Sequence, residues 1–313
     1  MIEINTIQDF FALTREQRGD ICRNLNTVGR LKEYLNTLNN PRTVSNDWKP
    51  CSKCGMKGWV MEQHEERNNA DIHASQIHKC IKHAWYSCNE YVLQRKSKVE
   101  PEGRLVFDHG HMLHHMLQSY GKKGAWGDPK YYQDEVVIVP NAQEAKDRKA
   151  HILEEAIKYR IRSSVDAIIW KYVVNNVRDL GDVSIRVIHE YKSIGPGKPT
   201  KDGTLYGGFA ALKGPLPYHK QQGIIYQHCF NIPIIVFLYY NKGNDMIADF
   251  PVPYDYLTWN MVKGKIDRIL NYVDKQEMPP WEETSAILDS SECKTCDYLT
   301  VCNPPKSVTI NQA

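Results

Sequence analysis

The feature that most constrains this chain is the run from Val183 to Lys192, Val-Ser-Ile-Arg-Val-Ile-His-Glu-Tyr-Lys. Its first half is dense in β-branched residues (Val183, Ile185, Val187 and Ile188), which predicts a buried strand. It ends in Glu190-Tyr191-Lys192. Successive side chains on a strand alternate between faces, so Glu190 and Lys192 emerge on the same one. A carboxylate able to hold a hard metal ion, beside a cation able to steer a water or a phosphate, is what phosphodiester hydrolysis requires. Read alone, Glu-x-Lys is more often a solvated ion pair on a strand. It needs support from the rest of the chain.

At 313 residues, with 42% hydrophobic and 25% charged content, the chain has room for one large domain or two modest ones. A net charge of +3 permits local nucleic-acid patches without announcing them. The longest apolar run, Ile232 to Tyr240, is interrupted by Pro233 and is too short to cross a bilayer. Met1 to Asn5 lacks the basic flank and apolar core of a signal peptide, so the expectation is a cytoplasmic protein with no membrane partner. In a reducing compartment the nine cysteines (22, 51, 54, 80, 88, 229, 293, 296 and 302) point to metal ligation more than to disulfides.

Residues 5 to 38 read as short helices, with a capping box at Thr14 to Gln17. Cys51-Ser-Lys-Cys54-Gly55 is a knuckle of the kind that supplies two zinc ligands, and His64, His73, His78, Cys80 and His83 follow it. A Zn²⁺ site on Cys51, Cys54, His78 and Cys80 is one reading; a cysteine pair in a loop is the other. Arg95, Lys96 and Lys98 form a basic run. Phe107 to Tyr120 carries a helical stripe that includes Gly110 and His114, where a glycine costs stability unless another backbone or a ligand comes close.

Val136 to Val139 reads as a strand, and Asn141 as the cap of a helix reaching about Tyr159. Ile161 to Trp170 is a second strand, whose apolar run is broken by Asp166; a carboxylate buried there must be paired, protonated or metal-bound. Ser193 to Pro217 holds six glycines and four prolines, with Lys198, Lys201 and Lys213. That composition predicts a mobile segment without periodicity, a gate or a plain insertion. His219 to Phe230 reads as a helix with Gln222 and Tyr226 on one face, Ile232 to Tyr240 as a central strand, and Tyr254 to Tyr272 as a further helix. Cys293-Lys-Thr-Cys296 and Cys302 follow near the end.

Taken in order, His114 on a helix, Asp166 and Glu190-x-Lys192 on strands, and Gln222 and Tyr226 on a helix resemble the PD-(D/E)xK nuclease superfamily, in its RecB-like branch. Gly110 to His114 matches the branch's Gly-x-x-x-His motif, and Gln222 to Tyr226 its Gln-x-x-x-Tyr motif. The resemblance covers about residues 85 to 305. It implies an α/β fold, a central mixed four-stranded sheet flanked by helices, preceded by an N-terminal helical region (1–84) and followed by a tail (306–313). Cys88, Cys293, Cys296 and Cys302 resemble the ligands of the iron–sulfur subgroup, which includes CRISPR spacer-acquisition nucleases, AddB-type recombination subunits and phage exonucleases.

The resemblance implies that His114, Asp166, Glu190 and the Tyr191 carbonyl hold Mg²⁺ or Mn²⁺. Lys192 would then orient the attacking water or the phosphate, and Gln222 and Tyr226 would position substrate. The four cysteines would bind a [4Fe–4S] cluster, with zinc in the same thiolates as the alternative. The implied activity is a metal-dependent DNA exonuclease acting on single strands or DNA ends in recombination, repair or DNA processing. Two alternatives keep the fold: a catalytically silent DNA-binding or assembly subunit, and a nuclease trimming DNA for CRISPR adaptation. The chain has no phosphate-binding Gly-Lys-Ser/Thr loop, so unwinding would need a helicase partner.

Overall fold

A computed structural model describes residues 1–37, 71–89, 101–199, 205–281, 283, 296, 298 and 302. The chain begins with β1 (Ile2–Ile4), then α1 (Ile7–Phe11), α2 (Arg15–Asn24) and α3 (Thr27–Thr37). Thr6 and Thr14 cap the first two helices in reciprocal bonds with Asp9 and Gln17, satisfying amide groups that a helix start leaves open. Next come β2 (Ile72–His73), α4 (Ile81–Cys88), α5 (Pro101–Lys122), β3 (Tyr132–Ile138), α6 (Ala142–Asp147) and α7 (Glu154–Lys158).

Asn141 caps α6 as expected, accepting from the Gln143 and Glu144 amides. The single helix expected to reach Tyr159 is instead two. Lys149 takes a left-handed φ of 53°, and the Ala150 amide bonds back to the Ala145 carbonyl at 2.8 Å, which closes α6.

The two longest strands follow, β4 (Ile161–Val177) and β5 (Gly181–Ile194), then the small ribbon β6 (Lys198–Pro199) and β7 (Leu205–Tyr206). The chain continues through α8 (Pro217–Phe230), β8 (Ile234–Asn241), β9 (Ile247–Pro253) and α9 (Tyr256–Lys275). Within the glycine-rich segment, beyond the ribbon, Phe209 and Ala210 donate to the Gly195 and Pro196 carbonyls at 2.8 and 3.2 Å. Lys201 lies outside the described residues.

The sheet is mixed and has seven strands among the described residues, where four were expected. β5 is its axis. One edge pairs antiparallel with β4; the other pairs parallel with β1 over Val183 to Ile185 and with β8 over Val187 to Ile194. β9 closes the far side, antiparallel to β8. Its Pro251 and Pro253 argue against a strand in the sequence, yet an edge strand tolerates proline because one side of it makes no ladder bonds.

Helices cover both faces over two buried cores. One core joins Ile188, Ile235, Phe237 and Tyr239 to residues of α4, α8 and α9. The other, on the opposite face, joins Val183, Ile185, Val187 and Tyr191 to Phe10, Ile21, Leu31 and Leu117. Residues 1–37 therefore belong to the same folded body as the sheet.

The alternation breaks at Asp166. Val165 packs in the first core and Ala167 in the second, although side chains two apart on a regular strand share a face. On the neighbouring strand Glu135 takes a left-handed φ of 48° and is missing from the ladder between Asp134↔Ala167 and Val136↔Val165. This irregularity turns the Asp166 side chain toward α5 and the tip of β5.

Candidate active site

Six sequence-predicted residues converge where β4, β5, α5 and α8 meet. β5 delivers Glu190 and Lys192 to one face, as its alternation predicts, and the Lys192 ammonium lies 2.7 Å from Glu190 Oε1. From α8, the Gln222 amide nitrogen donates to the same oxygen at 2.9 Å, while its Oε1 accepts from Lys192 at 3.2 Å. Gln222 thus reads both members of the pair. The same amide nitrogen donates to the Tyr226 hydroxyl at 2.6 Å, and that hydroxyl meets Ser163 Oγ at 2.9 Å.

Asp166 stands across from them. Its Oδ2 accepts the Tyr191 amide at 2.6 Å, and its Oδ1 lies 3.0 Å from His114 Nδ1. Four residues along α5 from His114, Gln118 donates to the Asp166 carbonyl at 3.3 Å, fixing the strand against the helix. Behind the site, the Tyr191 and Tyr132 hydroxyls pair at 3.2 Å.

Burial decides the electrostatics. Glu190 is 3% exposed, and its Oε2 is buried without a hydrogen-bond partner among the described residues. Burial and then the Asp166 charge push its carboxyl up to about 7, against the pull of Lys192. Asp166 moves the other way: burial resists its ionisation, but the His114 charge and bond, Lys192 and the Tyr191 amide hold its pKa below the usual value. His114 and Lys192 are disfavoured as cations by burial, yet the neighbouring carboxylates raise both. Two carboxylates pushed apart in this way, with a cation between them, are typical of sites that move protons or hold metals. Among the described residues, no group of three or more His, Cys, Asp or Glu side chains is already arranged as a metal cage.

Some contributors were not read from the sequence. Gly223 is the clearest: a Cβ there would stand 2.6 Å from the Phe237 ring and 3.1 Å from Ile235, so the glycine lets α8 sit close on β8 and brings Gln222 to Glu190. Gly110 is less demanding than expected, since a Cβ there would meet only Ser193 Oγ, at an ordinary 3.4 Å. Gln118 was legible in principle, four residues from His114. Ser163 and Gly223 carry no signal of their own.

Cys88 is buried in the first core, its thiol donating to the Asp71 carbonyl at 3.7 Å and pushed up to about 12 by burial. Cys80 instead caps the start of α4, its sulfur accepting the His83 amide at 3.3 Å. Tyr298, between Cys296 and Cys302, packs on the same helix: its ring stacks on Tyr86 at 5.2 Å and lies 5.0 Å from His83. Tyr298 therefore lies against α4. His78 lies 5.3 Å ring to ring from Tyr218. Cys51, Cys54, Cys293 and the basic Arg95, Lys96 and Lys98 lie outside the described residues, and no described helix is long and apolar enough to cross a membrane.

No family model and no curated protein matches the chain. Among solved structures it is similar to SSO0001, at 19% identity and a TM-score of 0.41, over 90% of this chain and 96% of that one. It is also similar to an alkaline exonuclease (LHK-Exo) from Laribacter hongkongensis, at 12% identity and a TM-score of 0.32, over 67% of this chain and 90% of that one. The same exonuclease in complex with dAMP gives 11% identity and a TM-score of 0.34 over the same shares. What can be said of activity rests on the site itself.

Proposed function

We propose that this chain is a metal-dependent DNA exonuclease that hydrolyses phosphodiester bonds at single-stranded DNA or DNA ends. One observation carries the reading: the Glu190 carboxylate is shared between Lys192 and Gln222 through Oε1, while its buried Oε2 has no partner among the described residues. A buried carboxylate oxygen left without a donor is costly unless a cation or proton meets it. Two carboxylates, an imidazole and a backbone carbonyl suit a hard divalent ion, so His114, Asp166, Glu190 and the Tyr191 carbonyl would hold Mg²⁺ or Mn²⁺. When bound, such an ion lowers the pKa of a water and offsets charge developing on phosphate oxygens.

The chain's own residues divide the remaining work. Lys192 presents three donors; two are directed to Glu190 and Gln222, which leaves one for a phosphate oxygen or the attacking water. Gln222 fixes that ammonium, and Tyr226 with Ser163 fixes Gln222. His114, by holding Asp166, keeps its carboxylate ionised at neutral pH.

The fit of an iron–sulfur cluster is partial. Cys80, at the amide-rich start of the helix on which Tyr298 packs, is better placed for thiolate ligation than Cys88, which is buried in the first core with its thiol donating to the Asp71 carbonyl. The proposed ligand set is therefore Cys80, Cys293, Cys296 and Cys302.

Digestion of end-labelled linear and covalently closed circular DNA tests the reading. Divalent-ion-dependent loss of the linear strands with the circles left intact is the expected result. Degradation of neither substrate, at any concentration of Mg²⁺ or Mn²⁺, would overturn it.

A further inference from the structure

One turn outside the catalytic pair, α8 places an aromatic residue that the proposed chemistry does not use. Tyr218, Gln222 and Tyr226 are four residues apart on one helix, so they form a single stripe. Gln222 and Tyr226 are buried at its inner end; Tyr218, at the outer end, is 41% exposed. An exposed tyrosine is ordinary by itself, but this one is built in. The His219 ring lies 4.2 Å from it at 66°, and the His78 ring 5.3 Å at 41°.

His219 is in turn locked, since its Nδ1 is 2.5 Å from the Tyr239 hydroxyl, which also accepts the Leu216 amide at 3.0 Å. Burial, then the charges of Lys192 and His78, hold His219 down to about 3; burial, then Lys79 and Lys265, hold His78 down to about 4. Both rings are neutral at neutral pH. Gln222, one helical turn along from Tyr218, accepts from the Lys192 ammonium at 3.2 Å, so the ring stands one turn out from that cation on the same stripe.

A fixed, partly exposed aromatic ring beside a phosphate-binding cation is a one-nucleotide arrangement: the cation takes the phosphate and the ring takes the base. Resting on the nuclease reading, we propose that Tyr218, held by His78 and His219, is a stacking platform for a nucleobase next to the scissile phosphate. Bases inside a duplex already stack on both faces, so the platform selects unpaired DNA. It would be tolerant of sequence, because every base has a π-face.

The test compares wild type, Tyr218→Ala and Tyr218→Phe on a single-stranded oligonucleotide carrying 2-aminopurine at its terminal position, and on one with an abasic site there. Binding is read as quenching of the 2-aminopurine without divalent ion, and cleavage as KM and kcat with Mn²⁺. Tyr218→Ala is expected to lose the quench and raise KM about tenfold, with kcat within about twofold, on the base-bearing strand only. Tyr218→Phe is expected to keep both. An unchanged KM and quench in Tyr218→Ala, an equal KM rise on the abasic strand, or a Phe variant as impaired as Ala would each overturn the platform. Quenching lost in Tyr218→Ala in a protein that cleaves nothing would support the platform while overturning the nuclease reading.

Discussion

Lys192 Nζ lies 2.7 Å from Glu190 Oε1, while Oε2 of the same carboxylate is buried with no partner among the described residues. Glu190 is 4% and Lys192 18% exposed at the side chain, so neither charge can turn to water for compensation. Lys192→Ala strands the carboxylate, and breaking a buried pair from one side costs about 3–5 kcal/mol. Glu190→Gln keeps a side chain that can still bond to Gln222 and removes the charge. The expected outcome is a markedly lower thermal midpoint for Lys192→Ala and a near-normal one for Glu190→Gln, with cleavage lost in both. Circular dichroism melts and a labelled-strand assay read the two effects separately.

The raised pKa of Glu190 sets a pH dependence. Its folded value, about 7, lies above its ordinary 4.5, so the protonated form is the one that folding favours. The stability it contributes is complete below about 4.5 and is lost as pH rises through about 7, on the order of 3 kcal/mol in metal-free protein. Melts between pH 4.5 and 8 should therefore show a falling wild-type midpoint relative to Glu190→Gln. Added Mg²⁺ or Mn²⁺ should flatten that difference; parallel curves with and without the ion would contradict it.

Gly223→Ala separates helix propensity from packing. Alanine favours a helix interior by about 1 kcal/mol. Here its Cβ would meet Phe237 at 2.6 Å, and that ring is fully buried with nowhere to go. Overpacking of this kind costs about 1–3 kcal/mol, so packing wins. The variant should be less stable and should lose activity as α8 lifts Gln222 from Glu190. A stabilised, fully active variant would show that the helix does not need this close approach.

Cys80→Ser and Cys88→Ser should behave differently. In protein purified without oxygen, Cys80→Ser is expected to lose iron content and the visible absorption of a cluster, and Cys88→Ser to retain both. The reverse result would restore Cys88 as the ligand. Colourless wild-type protein binding zinc in stoichiometric amount would replace the cluster with a zinc site.

The axis of the fold was legible because β5 alternates regularly: Val183, Ile185 and Val187 fill one core while Glu190 and Lys192 share the other face. The same logic was silent where regularity fails. Asp166 reaches His114 through a strand irregularity opposite Glu135, and periodicity cannot encode a break in itself. β9 was hidden by its prolines, and the helix after Asn141 is cut by a left-handed lysine with no glycine to mark it. The residues that hold the site rather than form it, Ser163, Gln118 and Gly223, became visible only through distances across the fold.

The most direct measurement is the rate at which anaerobically purified Asp166→Asn, against wild type, releases labelled nucleotides from single-stranded DNA with Mn²⁺. Asparagine preserves size and can still accept the Tyr191 amide, so the fold is expected to hold while the charge facing His114 disappears. The expected result is rapid, Mn²⁺-dependent release by wild type and a loss of at least about a hundredfold in the variant. Equal rates from the two proteins would contradict it.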